Sequence, residues 1–405
     1  MIMPEQKIKV LLLENIHPDA AKQFRENGVD IVNIDRSLKE DELCEKVKDV
    51  HVIGIRSKTQ VTEKVLDAGK NLLAVGAYCI GTNQIDISAC SRRGVAVFNA
   101  PYSNTRSVVE LALGEIIMLI RGVFDKSTKL HQGVWQKSAA GNYEIRGKRL
   151  GIIGYGNIGA QLSVMAEAVG MKVYYYDLEE KLSLGNARKC DTMEELLAKC
   201  DIITLHVDGR PENRGLIGEN EFNLMKRGVI FLNLSRGFVV DLQSLVQNIH
   251  NGKIIGAAVD VFPEEPNQNN ERFQTELQQL PNVILTPHIG GSTEEAQRNI
   301  ADFVTGKIID FIYNGGTSLS INLPNLQLPE IRDAHRLIHL HENVPGIMAK
   351  INNILARHSI NIVGQYLKTN EYIGYVITDI AKEYERDVIA EIKNIPGTIR
   401  FRILY

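Results

Sequence analysis

Short apolar runs alternate with helical patterns twice over along this chain, and that doubled alternation constrains its fold more than any other feature. In the first series Val10–Leu13, Ile31–Ile34, Val52–Ile55, Leu72–Val75 and Val95–Phe98 read as buried strands, with helical patterns such as Asp19–Glu26, closed by Gly28, between them. In the second, Arg149–Ile153, Lys172–Tyr176, Asp201–His206, Val229–Leu234, Ile255–Asp260 and Val283–Thr286 read the same way. A long apolar helix, from near Asn104–Ser107 to about Arg121, separates the two series. Strand and helix in alternation bury apolar strands in a parallel sheet with helices on its faces. Two series therefore predict two doubly wound α/β domains, and 405 residues exceed one ordinary core of roughly 150.

From Ser292 the pattern is one long helix to about Tyr313, starting after the second sheet is complete. It either extends that domain or returns to the first and makes it discontinuous. Gly315–Pro329, with its glycines, prolines and asparagines, reads as a linker. Beyond it the order changes. Arg336–His341 is a strand, Pro345 opens a helix to about Arg357, and Ile360–Lys368 with Tyr372–Ile380 form a hairpin. A helix at Glu385–Ile395 and a strand at Thr398–Leu404 follow, giving a ferredoxin-like βαββαβ unit. The expected domains are 1–104 with 292–330, 105–291, and 333–405.

Composition narrows the function classes. The net charge of −3 supplies no basic field for nucleic acid. Cys44, Cys79, Cys90, Cys190 and Cys200 are scattered and form no C-x-x-C pair, which favours free thiols in a reducing compartment over disulfides or a metal site. Val10–Leu13 is too short for a secretory core, and Val108–Phe124 is interrupted by Glu110, Glu115 and Arg121, so neither a signal nor a membrane span is expected. The cytoplasm is the default.

Gly154-Tyr-Gly156-Asn-Ile-Gly159 follows the strand Leu150–Ile153 and opens a helix ending near Gly170. Gly154 allows the tight turn, Gly156 lets a pyrophosphate approach the backbone, and Gly159 lets helix and strand pack closely. The helix start then offers free N–H groups to phosphate. The next strand ends in Asp177, where a carboxylate accepts the hydroxyls of an adenosine ribose and repels a 2′-phosphate. Together these form a Rossmann fingerprint that favours NAD over NADP, with Lys181 the nearest following cation.

Arg236, Glu265 and His288 each lie just beyond a strand of the second series, at the sheet edge that lines the ligand crevice in doubly wound folds. Oxidising an alcohol beside a carboxylate requires a base, and a histidine serves both directions near neutral pH. A carboxylate behind it fixes the tautomer, and an arginine offers a bidentate fork to the substrate carboxylate. Each residue alone has a plainer explanation. His288 at a strand end, Glu265 as a surface acid and Arg236 paired with Asp241 all remain open.

Ile80-Gly-Thr-Asn-Gln-Ile-Asp86, Asn99-Ala-Pro101, Asn104-Thr-Arg-Ser107, His288-Ile-Gly-Gly-Ser292 and His341-Glu-Asn-Val-Pro-Gly346 resemble the D-isomer-specific 2-hydroxyacid dehydrogenase family across nearly the whole chain. These segments are similar to those of members that oxidise 3-phospho-D-glycerate and carry a C-terminal ACT domain. The resemblance implies a flavodoxin-like substrate domain beside the Rossmann domain. It implies Arg236 as the substrate-orienting arginine, Glu265 as the acid paired with the histidine, and His288 as proton donor or acceptor. It also implies NAD contacts from Asn157, Ile158, Asp177, Leu234, Ser235, Arg236, Asp260, His288 and Gly291, and a substrate contact from Asn104.

Arg56-Ser57-Lys58 follows a strand of the first series, where cations suit a phosphate or form a solvated loop. Trp135, the single tryptophan, reads either as an anchor into a partner subunit or as a plug for its own chain. The resemblance further implies a homotetramer, amino-acid binding at His341, Asn343 and Asn361 with serine as inhibitor, and a side activity on 2-oxoglutarate. Asn343 and Pro345 equally fit a helix start, and Asn361 a turn. Leu328–Ala334 departs from the family pattern in lacking a glycine pair. The alternatives are a dehydrogenase of an unphosphorylated 2-hydroxy acid and an NAD-sensing, corepressor-like binding protein.

Overall fold

The computed structural model describes residues 7–266, 270–329 and 333–404. The chain divides into two units: Met1–Pro101 with Gln297–Tyr405, and Tyr102–Ala296.

The first unit opens with five parallel strands, β1 (Lys9–Leu13), β2 (Asp30–Ile34), β3 (Val52–Ile55), β4 (Ala74–Ala77) and β5 (Ala96–Phe98), in the order β2-β1-β3-β4-β5. Helices α1 (Pro18–Glu26), α2 (Glu40–Lys46), α3 (Glu63–Ala68) and α4 (Ile87–Arg92) make the crossovers. β3, β4 and β5 are buried along their whole length, which is why they appear as unbroken apolar runs rather than alternating ones. The strand expected at Leu72–Val75 lies two residues later. The Asp86 carboxylate accepts the Ala89 N–H at 2.8 Å and caps α4.

The second unit begins with α5 (Thr105–Ile120). Gly122, at φ +54°, breaks it from a further helix that the sequence pattern did not reveal, α6 (Val123–His131). Seven parallel strands follow: β6 (Arg149–Ile153), β7 (Lys172–Tyr176), β8 (Arg188–Lys189), β9 (Ile202–Leu205), β10 (Val229–Asn233), β11 (Ile254–Val259) and β12 (Val283–Leu285). Their order is β12-β11-β10-β9-β6-β7-β8, with α7 (Asn157–Ala168), α8 (Met193–Lys199), α9 (Glu219–Leu224) and α10 (Leu242–His250) among the crossovers. The order reverses between β6 and β9, the switch point at which open α/β sheets bind ligands.

α11 (Glu294–Asn314) carries the chain back, entering the first unit at Gln297. Ile300, Val304, Ile308 and Phe311 on it join one core with Phe24 and Phe98. The segment after it is not the loose linker its composition implied. Thr317 is buried with its hydroxyl on the Pro324 carbonyl at 2.6 Å, and the Asn322 side chain accepts from Val97 N–H and donates to the Val95 carbonyl. Polar residues here satisfy the open edge of β5, a pairing that composition does not reveal. Of the segment Leu328–Ala334, residues 330–332 lie outside the described residues.

The chain ends in β13 (His335–Glu342), α12 (Ile347–Arg357), β14 (Ile362–Thr369), β15 (Ile373–Ile380), α13 (Arg386–Lys393) and β16 (Thr398–Leu404), an antiparallel sheet in the order β14-β15-β13-β16. Its Arg336 is fully buried, bidentate to Asp379 at 2.7 Å on both oxygens, and donates to the Asn314 carbonyl at the end of α11. Arg402 donates to the Phe311 and Ile312 carbonyls. These guanidiniums cap the C-terminal end of α11, where the Phe311 carbonyl also accepts the Gly315 N–H at 3.2 Å.

Candidate active site

Asn233, the buried last residue of β10, shapes the turn that presents Arg236. Its Oδ1 accepts the Ser235 N–H (3.1 Å) and hydroxyl (2.8 Å), and its Nδ2 donates to the Arg236 carbonyl at 3.1 Å. Arg236 Nη1 donates to the Ser235 carbonyl at 2.7 Å. Asp241, the partner the sequence left open, is not paired with Arg236; it caps α10, accepting the Gln243 N–H (3.0 Å) and the Ser244 hydroxyl (2.9 Å).

Asp260 follows β11 and ties down the loop after β12. Its Oδ1 accepts the Thr286 hydroxyl (2.6 Å) and the Ile289 N–H (2.8 Å), its Oδ2 accepts the Gly290 N–H (2.9 Å), and its carbonyl accepts the His288 N–H (2.8 Å). These bonds hold His288 at φ +53°, a left-handed conformation that costs a non-glycine residue about 1–3 kcal/mol. A Cβ on Gly290 would lie 3.0 Å from Asp260 Oδ2 and one on Gly291 would strike the Asn104 amide, so close approach is what these glycines provide.

A third close approach brings in the acid. A Cβ on Gly237 would sit 1.9 Å from the Phe262 carbonyl carbon, so only glycine lets the Phe262–Glu265 loop lie against the Arg236 turn. Glu265 Oε1 then accepts the Phe262 N–H at 3.1 Å, and Oε2 accepts His288 Nδ1–H at 2.8 Å. The hydrogen bond and charge of Glu265 hold the imidazole above its ordinary pKa against the opposing effects of burial and Arg236. Burial pushes the Glu265 carboxyl up, but the hydrogen bond and charge of His288, the Phe262 N–H and the Arg236 charge outweigh it and leave it below the ordinary value. With Nδ1–H committed to Glu265, Nε2 is the atom left to exchange a proton.

The glycine turn fits a dinucleotide. Gly154, at φ +91°, packs on the end of β9, where a Cβ would come within 2.6 Å of the His206 carbonyl. A Cβ on Gly159 would strike the Gly154 carbonyl, while above Gly156 the space is open, as a pyrophosphate requires. The N–H groups at the start of α7, from Asn157 and Ile158 on, face that space unpaired by the helix. Asp177 accepts the Tyr155 N–H at 2.7 Å and the Glu179 N–H at 2.9 Å, one on each oxygen, and each oxygen retains a lone pair for a ribose hydroxyl. Lys181 is paired with Glu179, and Arg210 with Asp208.

Arg236, Glu265 and His288 thus meet, with Asp260, Leu234, Ser235 and Gly291 around them. Arg56 and Ser57 belong to the other unit, in the loop after β3 whose Lys58 and Thr59 N–H groups donate to Glu14. Asn104 occupies the N-cap position of α5 without a side-chain capping bond, and its Oδ1 is buried without a hydrogen-bond partner. His341 is buried and Asn361 exposed. Asn343 donates to the Asn370 carbonyl at 2.8 Å; the helix cap expected of it falls instead to Gly346, at φ +91°, with Pro345 outside the helix. Trp135 is 79 % exposed and plugs nothing in its own chain. Sequence reading missed Asn233, Thr286, Gly237 and the buried, unpaired Nδ1 of His206 beside the glycine turn. Only Gly237, directly after Arg236, carried a signal. Among the described residues no cluster of three metal-ligating side chains exists, and no helix is long and apolar enough to cross a membrane.

Residues 113–290 match the NAD binding domain of D-isomer specific 2-hydroxyacid dehydrogenases, and residues 337–400 match the AHAS small subunit-like ACT domain. D-3-phosphoglycerate dehydrogenase of Dictyostelium discoideum is 50% identical over 99% of this chain and 98% of its own. That of Escherichia coli K12 is 47% identical over 100% and 99%. The chain belongs to the D-isomer-specific 2-hydroxyacid dehydrogenase family. The dehydrogenase core also matches solved structures. D-2-hydroxyisocaproate dehydrogenase has a TM-score of 0.70 at 26% identity, over 78% of this chain and all of that one. D-lactate dehydrogenase of Aquifex aeolicus, complexed with NAD and lactic acid, has a TM-score of 0.67 at 25% identity over the same shares. The second unit is therefore the NAD-binding domain of this dehydrogenase, and the C-terminal sheet is its ACT domain.

Proposed function

We propose that this dehydrogenase oxidises 3-phospho-D-glycerate to 3-phosphohydroxypyruvate, the entry to serine synthesis. The observation that carries the chemistry is the contact between His288 Nδ1 and Glu265 Oε2 beside Arg236. Bound NAD supplies the hydride acceptor. His288 Nε2 takes the proton of the C2 hydroxyl as the C2 hydride leaves, so the alcohol becomes a ketone and the imidazole an imidazolium. Glu265 stabilises that cation and fixes the ring. Arg236 grips the substrate carboxylate and polarises the forming carbonyl. Arg56, Ser57 and Asn104 are assigned to the rest of the substrate; the unpaired Asn104 Oδ1 supports its share.

Names borne by relatives covering the whole chain support the phosphorylated substrate. The ACT domain supports feedback by an amino acid, with serine as the effector proposed at His341, Asn343 and Asn361. The exposed Trp135 supports a subunit contact within a homotetramer. The free cysteines support the cytoplasm. Reduction of 2-oxoglutarate is proposed as a side activity of the same site. Steady-state oxidation of 3-phospho-D-glycerate by NAD, with and without serine, tests the proposal. Turnover of D-glycerate in preference to its phosphate ester would overturn the substrate.

A further inference from the structure

The ACT sheet contains a chain of polar groups that the dehydrogenase chemistry does not use. Leu337, His339 and His341 alternate along β13 onto the face where Leu337 packs with Ile351 of α12 and Val388 of α13. Both histidines are buried, at 2% and 3% exposure. His339 Nε2 lies 2.8 Å from the Thr398 hydroxyl on β16, and His339 Nδ1 lies 3.3 Å from His341 Nδ1.

The protons in this chain can be placed from its far end. The Thr398 hydroxyl has one proton and gives it to the Ile395 carbonyl at 2.6 Å, because a carbonyl cannot donate. Thr398 therefore accepts from His339 Nε2–H. Burial, with the neighbouring His341 ring, pushes His339 down to about 4, and burial lowers His341, each against a backbone carbonyl that faces the ring (Ile392 for His339, His339 for His341), so both rings are neutral and each carries one N–H. His339 Nδ1 is then a bare acceptor, and the nitrogen facing it, His341 Nδ1, carries that ring's proton. His341 Nε2 is left with a lone pair. It lies over Gly374 of β15, where a Cβ would approach within 2.2 Å.

We propose that His339 is a positioning residue of the effector site. The relay Thr398–His339–His341 fixes the proton of His341 on Nδ1, so His341 meets an effector through Nε2 as a hydrogen-bond acceptor and takes the ammonium group of an amino acid. This rests on the proposed role of His341 as an effector contact. A bare nitrogen accepts from an ammonium and gives nothing to a carboxylate, so the site discriminates an amino acid from the hydroxy acid of the same skeleton.

Nitrogen-15 correlation spectra of the histidine rings in the full-length enzyme test the relay directly. His341 is expected to be neutral with its proton on Nδ1; a proton on Nε2 overturns the proposal. Two variants separate positioning from packing. In His339→Gln the amide can donate to Thr398 and accept from His341, whereas His339→Leu can do neither. The leucine variant should raise the L-serine concentration for half-inhibition roughly tenfold to a hundredfold. The glutamine variant should stay near wild type, and turnover without serine should be unchanged in both. Equal loss in both variants, or none in the leucine variant, overturns the relay. L-glycerate should not inhibit, and inhibition as strong as that by L-serine would overturn the ammonium assignment. If the leucine variant does not fold, the wild-type tautomer and the glutamine variant still decide. A wild-type enzyme indifferent to serine, with His341 protonated on Nδ1, would discard serine as the effector and support the relay.

Discussion

His288 Nδ1 lies 2.8 Å from Glu265 Oε2 across a sequence gap of 23 residues, and His288 holds that position in a left-handed backbone conformation. The strained backbone and the hydrogen bond are two parts of one device. Asp260 pins the loop on one side, Glu265 turns the ring on the other, and Nε2 is the ring nitrogen left for the proposed proton exchange.

The pH dependence follows from the raised pKa of His288. Alcohol oxidation requires the neutral imidazole, so kcat/KM for phosphoglycerate should fall as pH drops through a value above 6.5, while ketone reduction gains over the same range. Glu265→Gln removes the charge that raises the pKa. Its acid limb should therefore move to lower pH as kcat decreases. pH–rate profiles in both directions check this, and an unmoved limb would detach Glu265 from the histidine.

His288→Ala should lower turnover ~10²–10⁴-fold with NADH affinity retained, because the loss falls on proton transfer. Fluorescence titration of NADH alongside turnover separates the two. Parallel loss of both would place the residue in cofactor binding instead.

Gly237→Ala should impair the enzyme though it touches no reacting atom. The added methyl would meet the Phe262 backbone at 1.9 Å, so the Glu265 loop must shift. A misplacement of about 1 Å costs on the order of 10²-fold in rate. Turnover should fall while NADH still binds; wild-type turnover would show that the loop adapts.

Asp177→Ser should raise the KM for NAD and improve NADP only slightly. The nearby cations Lys181 and Arg210 are already paired with Glu179 and Asp208, and a 2′-phosphate would have to compete with those carboxylates for them. The ratio of kcat/KM for the two cofactors measures this. A large NADP gain would mean that those ion pairs rearrange.

Arg336→Met should destabilise the ACT domain by about 3–5 kcal/mol, because it strands the Asp379 carboxylate at a buried site and uncaps α11. The double variant Arg336→Met with Asp379→Leu should recover much of that loss. Calorimetric unfolding of the full chain compares them, and equal destabilisation by both would point to the carbonyl contacts rather than the ion pair.

Whatever neighbouring residues encode was legible before any fold was known. Continuous apolar runs marked the buried strands β3, β4 and β5, the spacing of Gly154, Gly156 and Gly159 marked the cofactor turn, and Arg236, Glu265 and His288 stood just beyond strands. Features that join residues distant in the chain emerged with the folded arrangement. Gly237 is needed because of Phe262, and Asp260 serves to anchor the His288 loop. Asp241 caps a helix rather than pairing with Arg236, and the polar segment around Thr317 and Asn322 is buried against β5. Periodicity records which face of an element is apolar. It carries no record of which backbone will approach that face or which buried polar atom will find its partner there.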